Sequence, residues 1–227
     1  MQTTIQYIHA ELSGIYPTEE IMGITKILLE HVTGWNYTQQ VINAHKSLLD
    51  RDKEQINSIV KRLKEYEPVQ YILGKTEFYG LKIRVSPAVL IPRPETEELV
   101  ALVLQKNIME KPKILDLGTG SGCIALALKS RLKNATVTGV DISGDALEIA
   151  RENAKLNGLD VCFLKGNMLK WRELSRGKYD IIVSNPPYVT EKEKTAMEPN
   201  VLNYEPSDAL FVPDDDPLVF YRAVASD

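Results

Sequence analysis

Basic residues are not in excess: 27 lysines and arginines stand against 31 aspartates and glutamates, a formal net charge of −4. That balance argues against a chain whose affinity rests on a phosphate backbone, although a locally basic groove stays compatible with it. Cysteine is scarce. Cys123 and Cys162 sit in apolar stretches without metal-ligand spacing, and they read as reduced, buried thiols of a cytoplasmic protein, with no metal expected. No run approaches the ~18 apolar residues of a membrane-spanning helix. Met1 to Gly14 lacks the basic start and unbroken apolar core of a leader, so a soluble, intracellular chain with no membrane partner is expected. With 13 glycines and 12 prolines the sequence is neither collagen-like nor low-complexity. At 227 residues, and roughly 150 per domain, it reads as one or two domains with a real core.

The first ~70 residues carry helical spacing and no competing strand pattern. Ile21, Ile24, Ile27, Leu28 and Val32 follow the start signal Pro17-Thr18-Glu19-Glu20, and Ile56, Ile59, Val60 and Leu63 follow Asp52. Residues 1–74 are therefore expected to form an all-α domain. From Lys75 to Ile91 the character changes to rough alternation around Gly80, which predicts a β-hairpin linker over 75–91. Pro92-Arg93-Pro94 then breaks the chain, and Glu95 to Gln105 reads as a helix.

Beyond Lys111 the pattern is strand, polar turn, helix, repeated. Lys113–Leu117, Thr136–Val140, Val161–Leu164 and Tyr179–Val183 read as strands, with helices over Cys123–Leu132 and, behind Ser143, over Ala146–Leu156. Alternation of this kind implies an α/β fold with a parallel sheet, whose ligands gather at the carboxyl ends of the strands. Gly118 to Gly122, Asp141, Asn167 and Asn185 all lie at those ends.

Asp116-Leu117-Gly118-Thr119-Gly120-Ser121-Gly122 is a glycine-rich turn between a strand and a helix, where backbone can approach a ligand closely. Cys123 stands where the dinucleotide fingerprint wants its third glycine, and no Lys-Ser or Lys-Thr pair ends the loop as a P-loop requires. The segment resembles motif I of the class I S-adenosylmethionine-dependent methyltransferases, a Rossmann-like fold. That resemblance implies S-adenosylmethionine held by Gly118, Thr119, Gly120, Ser121 and Gly122, with the Asp141 carboxylate on the ribose hydroxyls. Asn167 and Met168 would then flank the adenine, while a plain helix-cap role for Asn167 reads equally well.

Asn185-Pro186-Pro187-Tyr188 directly follows the apolar run Ile181 to Val183. Two prolines end the strand, so the Pro186 carbonyl escapes ladder pairing and, with the Asn185 side-chain oxygen, offers two acceptors to a planar NH2 group. Tyr188 can stack on that group. Asn185, Pro186, Pro187 and Tyr188 are thus the candidate catalytic set for methyl transfer from sulfonium to nitrogen, with positioning supplying the rate in place of a strong base.

The motif is similar to that of amino-methyltransferases acting on adenine or cytosine in DNA and on glutamine in protein. Three further stretches, Glu67 to Gly74 with Phe78-Tyr79-Gly80, Leu90 to Glu97, and Tyr204-Glu205-Pro206 with Ala209-Leu210, resemble the HemK/PrmC family of release-factor glutamine methyltransferases. The resemblance implies N5-methylation of the glutamine in the Gly-Gly-Gln motif of peptide chain release factors, with the helical domain helping to engage that protein partner. It also implies that the Pro92 to Thr96 loop closes over the cofactor, Arg93 and Thr96 being possible polar contacts. Asn167 departs from the family's usual Asp, and Val212-Pro213-Asp214-Asp215-Asp216 replaces its glycines.

A DNA amino-methyltransferase is the enzymatic rival, and a non-catalytic cofactor-binding protein the other. The first needs a basic target-reading region. Lys53, Lys61, Arg62 and Lys64 share their stretch with Glu54 and Glu65 and read as a solvated helix face, so no DNA partner is expected. After the fourth strand there is room for a substrate loop and one helix, Asp216 as cap with Leu218, Tyr221 and Ala225 at helical spacing. The expectation for the methyltransferase domain, 92–227, is a sheet truncated after its fourth strand, with Ile181 to Val183 on an open edge and a monomeric full-length parent.

Overall fold

Apolar residues at helical spacing produce the helices of the first 73 residues: α1 (Gln2–Leu12), α2 (Thr18–Thr33), α3 (Tyr37–Ile42), α4 (Asp50–Lys64) and α5 (Val69–Leu73). The computed structural model describes residues 1–174 and 178–225. It divides into two units, Met1–Leu73 and Gly74–Asp227. In the first unit, α2 starts after Pro17 with Glu19 and Glu20 in its first turn, where the helix dipole favours acidic side chains, and stops at Gly34 in the left-handed region. Ile21, Ile24 and Leu28 of α2 meet Ile56, Ile59, Val60 and Leu63 of α4 in one core, joined by Ile8 and Leu12 of α1. Ile27, expected on the same face, is 41% exposed. On α4, Lys53 pairs with Asp50, Arg62 with Glu67 and Lys64 with Glu11, so the charge expected to be a solvated face is also locally balanced.

The second unit begins with the hairpin β1 (Lys75–Phe78) and β2 (Leu81–Arg84), antiparallel, with Phe78 opposite Leu81. Its two-residue turn has Tyr79 at φ 51° and Gly80 at φ 79°, the double positive φ that matches the right-handed twist of a hairpin. The remaining elements are α6 (Glu95–Lys106), β3 (Lys113–Leu117), α7 (Cys123–Arg131), β4 (Thr136–Asp141), α8 (Gly144–Asn157), β5 (Cys162–Lys165), α9 (Trp171–Leu174) and β6 (Ile181–Ser184). They are followed by β7 (Val189–Thr190), α10 (Pro199–Tyr204), β8 (Phe211–Val212) and α11 (Val219–Ala225).

Strands β3 to β6 form a parallel sheet in the order β5-β4-β3-β6. Central β3 and β4 are buried on both faces, as continuous apolar runs predict. Strand β5 is an edge strand in which only Phe163 is buried, which corrects the expectation for one thiol: Cys162 alternates away from Phe163 and is exposed, whereas Cys123 is buried. Among the described residues β6 forms the other edge. A cavity of about 680 Å³ runs beside it, lined by Leu99, Val103, Ile182, Pro186, Tyr221 and Val224. Two short strands, β7 and β8, pair in parallel and enclose the segment 191–210. Phe220 and Val224 of α11 pack with Met168 and Trp171, and the Trp171 indole N–H donates to the Ala223 carbonyl at 2.9 Å. Among the described residues, no helix is long and apolar enough to cross a membrane.

Candidate functional site

Three left-handed glycines, Gly118, Gly120 and Gly122, turn the chain from β3 into α7. The Gly118 and Thr119 N–H groups both donate to the Val140 carbonyl at the end of β4, at 2.9 and 3.0 Å. This close approach requires Gly139, since a Cβ there would stand 2.8 Å from both the Phe163 ring and Thr119 Oγ1. Asp141 ends β4 and clamps the loop: its Oδ2 accepts from Gly120 N–H at 2.8 Å and its Oδ1 from Ser143 N–H at 2.9 Å. Each of these oxygens keeps a second lone pair for a hydroxyl donor.

Beneath the loop lies Asp116, with no solvent exposure. Its Oδ2 accepts from the Thr119 hydroxyl at 2.6 Å and from Ala125 N–H at 3.2 Å, while its Oδ1 is buried with no hydrogen-bond partner. Burial pushes the Asp116 carboxyl up to about 7 from 3.8, against the two hydrogen bonds that lower it and with Asp141 nearby raising it further. An orphaned buried acceptor beneath the glycine turn suits a ligand that brings a cation, and the remaining lone pairs of Asp141 suit hydroxyls, so these residues fit an amino-acid-bearing nucleoside. The raised value also gives a signed prediction. The folded state keeps the proton that the unfolded chain loses near 3.8, so stability falls as pH rises from there to about 7. Thermal melts of Asp116→Asn across that window should be flatter than those of the parent, and parallel slopes would contradict the assignment.

At the end of β5, Asn167 takes the cap role: its Oδ1 accepts from Leu169 N–H at 2.8 Å, the oxygen otherwise assigned to an adenine amino group. Met168 is buried, its sulfur 3.7 Å from where a Cβ on Gly118 would stand. Cys123 is no nucleophile, because burial pushes its thiol up to about 12.

The second half of the site follows β6. Leu117 pairs with Ser184, whose hydroxyl donates to the Leu117 carbonyl at 2.6 Å, so the glycine loop and Asn185 leave the sheet side by side. Pro186 and Pro187 are buried, Asn185 is half-buried and Tyr188 is 58% exposed. The Asn185 Nδ2 donates to Thr96 Oγ1 at 3.3 Å. Arg93, whose side chain is 35% exposed, pairs at 2.6 Å with Glu205, whose side chain is 1% exposed and also accepts from Ile91 N–H at 3.2 Å.

Two supports were not visible as such in the sequence. Asn153, with no exposure, accepts from Arg84 N–H at 2.6 Å and donates to the carbonyls of Arg84 and Ser121, tying α8 to β2 and to the glycine loop. Glu97 accepts from Tyr79 N–H at 2.6 Å and ties α6 to the hairpin turn. The Tyr204-Glu205-Pro206 stretch was one signal that could have led to the buried carboxylate Glu205.

Residues 4–74 match the family model of the PrmC N-terminal domain, and residues 95–203 that of the methyltransferase small domain. The chain is 44% identical over 225 residues to the release factor glutamine methyltransferase of Bacteroides thetaiotaomicron, a match covering 99% of this chain and 81% of that protein. It is equally 44% identical over 223 residues to that of Flavobacterium psychrophilum, covering 96% and 78%. Against the Streptococcus pneumoniae protein of the same name the identity is 46% over 178 residues, 78% of this chain and 62% of that one.

Proposed function

The chain belongs to the release factor glutamine methyltransferase family, and from that premise we propose that it methylates the side-chain amide nitrogen, N5, of the glutamine in the Gly-Gly-Gln motif of peptide chain release factors. The observation that carries the reading is the register of β3 and β6, which sets the glycine loop and Asn185 at adjacent strand ends. S-adenosylmethionine, when bound, supplies an electrophilic methyl group on sulfonium sulfur. Asp116 and the Gly118 to Gly122 loop would hold its amino-acid end, Asp141 its ribose, and Met168 the adenine, with Asn167 shaping the turn beside it.

On the substrate side, Asn185 Oδ1 and the Pro186 carbonyl accept the two amide hydrogens. Holding both hydrogens raises electron density on the nitrogen and fixes which face it presents. Pro187 has no N–H to compete for those acceptors, and the exposed Tyr188 ring can cover the planar amide. Precise placement of a neutral nucleophile explains why the set contains no histidine. The helical unit helps to engage the release factor, and the protein works in the cytoplasm, where that partner is found. DNA is the disfavoured substrate, since Lys53, Arg62 and Lys64 of α4 are paired with carboxylates.

Radiolabelled S-adenosylmethionine should mark a purified release factor, leaving its glutamine-to-alanine form and an oligonucleotide duplex unlabelled. Label on the duplex, with none on the release factor, would overturn the reading.

A further inference from the structure

Two stretches of chain flank the Asn185 to Tyr188 segment. On one side the loop 91–95 leads into α6, where the hydroxyl of buried Thr96 lies 3.3 Å from Asn185 Nδ2. On the other side β8 pairs with β7 directly after Tyr188, and Val189 N–H donates to the Leu210 carbonyl at 3.0 Å. One side chain ties the two stretches together. Glu205 Oε2 accepts from Ile91 N–H at 3.2 Å and its Oε1 from the Arg93 guanidinium at 2.6 Å, across 114 and 112 positions of sequence. We propose that Glu205 is a positioning residue for the transfer: through Ile91 and Arg93 it sets the loop against the Asn185 to Tyr188 segment, and so fixes where the substrate amide is held. This rests on the role given to Asn185 under the proposed function.

The links at both ends of this tie are short and stiff. Thr96 N–H donates to the Arg93 carbonyl at 3.0 Å and Glu97 N–H to the Pro94 carbonyl at 2.9 Å, so the position of Arg93 is passed straight into the first turn of α6. Behind Glu205, the ring of Pro206 fixes one torsion, and Ala209 N–H and Leu210 N–H donate to the Pro206 and Ser207 carbonyls, both at 3.0 Å. Leu210 and Val212 are buried, which anchors β8 where that turn ends. Stability alone is a weak reason for such a carboxylate, because the cost of taking it out of water offsets most of what its pairing gains. Placement is a stronger one. The site holds an amide that no strong base activates, and a misplacement of about 1 Å between reacting groups can cost about 10²-fold in rate.

The test is a double-mutant cycle on single-turnover rates of the full chain, measured at saturating S-adenosylmethionine and release factor. Glu205→Gln leaves one accepting oxygen for two donors and turns an NH2 group toward the other, whereas Arg93→Met removes the guanidinium and keeps the stem. Each should slow transfer about tenfold, while the half-saturating concentration of release factor moves less than about threefold. The double variant should be no slower than the slower single one, since the oxygen that is left then serves Ile91 N–H alone. Thermal melts run alongside. If Glu205→Gln fails to fold, Arg93→Met, made on a side chain 35% exposed, carries the rate measurement together with Arg93→Lys, which keeps a cation and should lose less. A lowered melting temperature with an undiminished rate would make the tie purely structural and overturn the proposal. Single losses that multiply in the double variant, or a loss confined to half-saturation, would overturn it as well. A parent chain that leaves the release factor unlabelled would instead count against the glutamine reading itself.

Discussion

Asn185→Ala is expected to lower kcat for transfer to a release factor by about 10²- to 10³-fold, the range for losing one preorganised polar group at a reacting centre. The alanine removes the acceptor that holds one amide hydrogen, and it leaves Thr96 without its partner. Affinity for S-adenosylhomocysteine should move less, since the glycine loop, Asp116 and Asp141 hold one another without Asn185. Asn185→Asp keeps an oxygen to accept the substrate hydrogen, and should retain more activity than the alanine variant. Single-turnover rates for both variants, with folding checked by melting, decide the matter. An alanine variant with full activity would contradict the assigned role of Asn185, whatever the substrate.

The largest expected effect on stability comes from Asn153→Ala, a change remote from the reacting atoms. One buried side chain there satisfies the Arg84 N–H and the carbonyls of Arg84 and Ser121. Each backbone group left unpaired in a dry site costs about 1–3 kcal/mol, so the alanine should destabilise the second unit by roughly 2–5 kcal/mol, allowing for partial relaxation. Asn153→Asp should be worse than alanine, because it sets a carboxylate against two carbonyl oxygens. Urea midpoints at unchanged slope would measure both. Cofactor affinity should fall alongside, since the Ser121 carbonyl belongs to the glycine loop. An alanine variant within about 0.5 kcal/mol of the parent, the scale of an ordinary surface change, would mean that the three bonds do not hold these elements together.

These two asparagines also mark how far the sequence could be read. Strands β3 and β4 were legible because a strand buried on both faces must be apolar throughout, and the sharp polar turns that follow them have no other use in a parallel sheet. Asn185 was legible because a proline pair ends its strand. Asn153 was not: in the middle of a helix an asparagine reads as solvated, and only the packing of β2 against α8 reveals that it is buried. The pairing of Glu205 with Arg93 was not legible either, because 112 positions separate the two residues and no local pattern brings them together. Cys162 was misread as buried because an apolar run does not say whether its strand lies at the centre or the edge of a sheet. The short strands β7 and β8 left no periodic trace, as two residues are too few to alternate.

The site therefore depends on contacts between distant segments, and its chemistry on one claim: that a carboxamide nitrogen is held at the end of β6 with its hydrogens on Asn185 and Pro186. Tandem mass spectrometry of a release factor after incubation with this protein and S-adenosylmethionine tests that claim most directly. The expected result is the mass of one methyl group on the side chain of the Gly-Gly-Gln glutamine, released as methylamine on acid hydrolysis. An unmodified glutamine, or a methyl group on any other atom of the release factor, would contradict it.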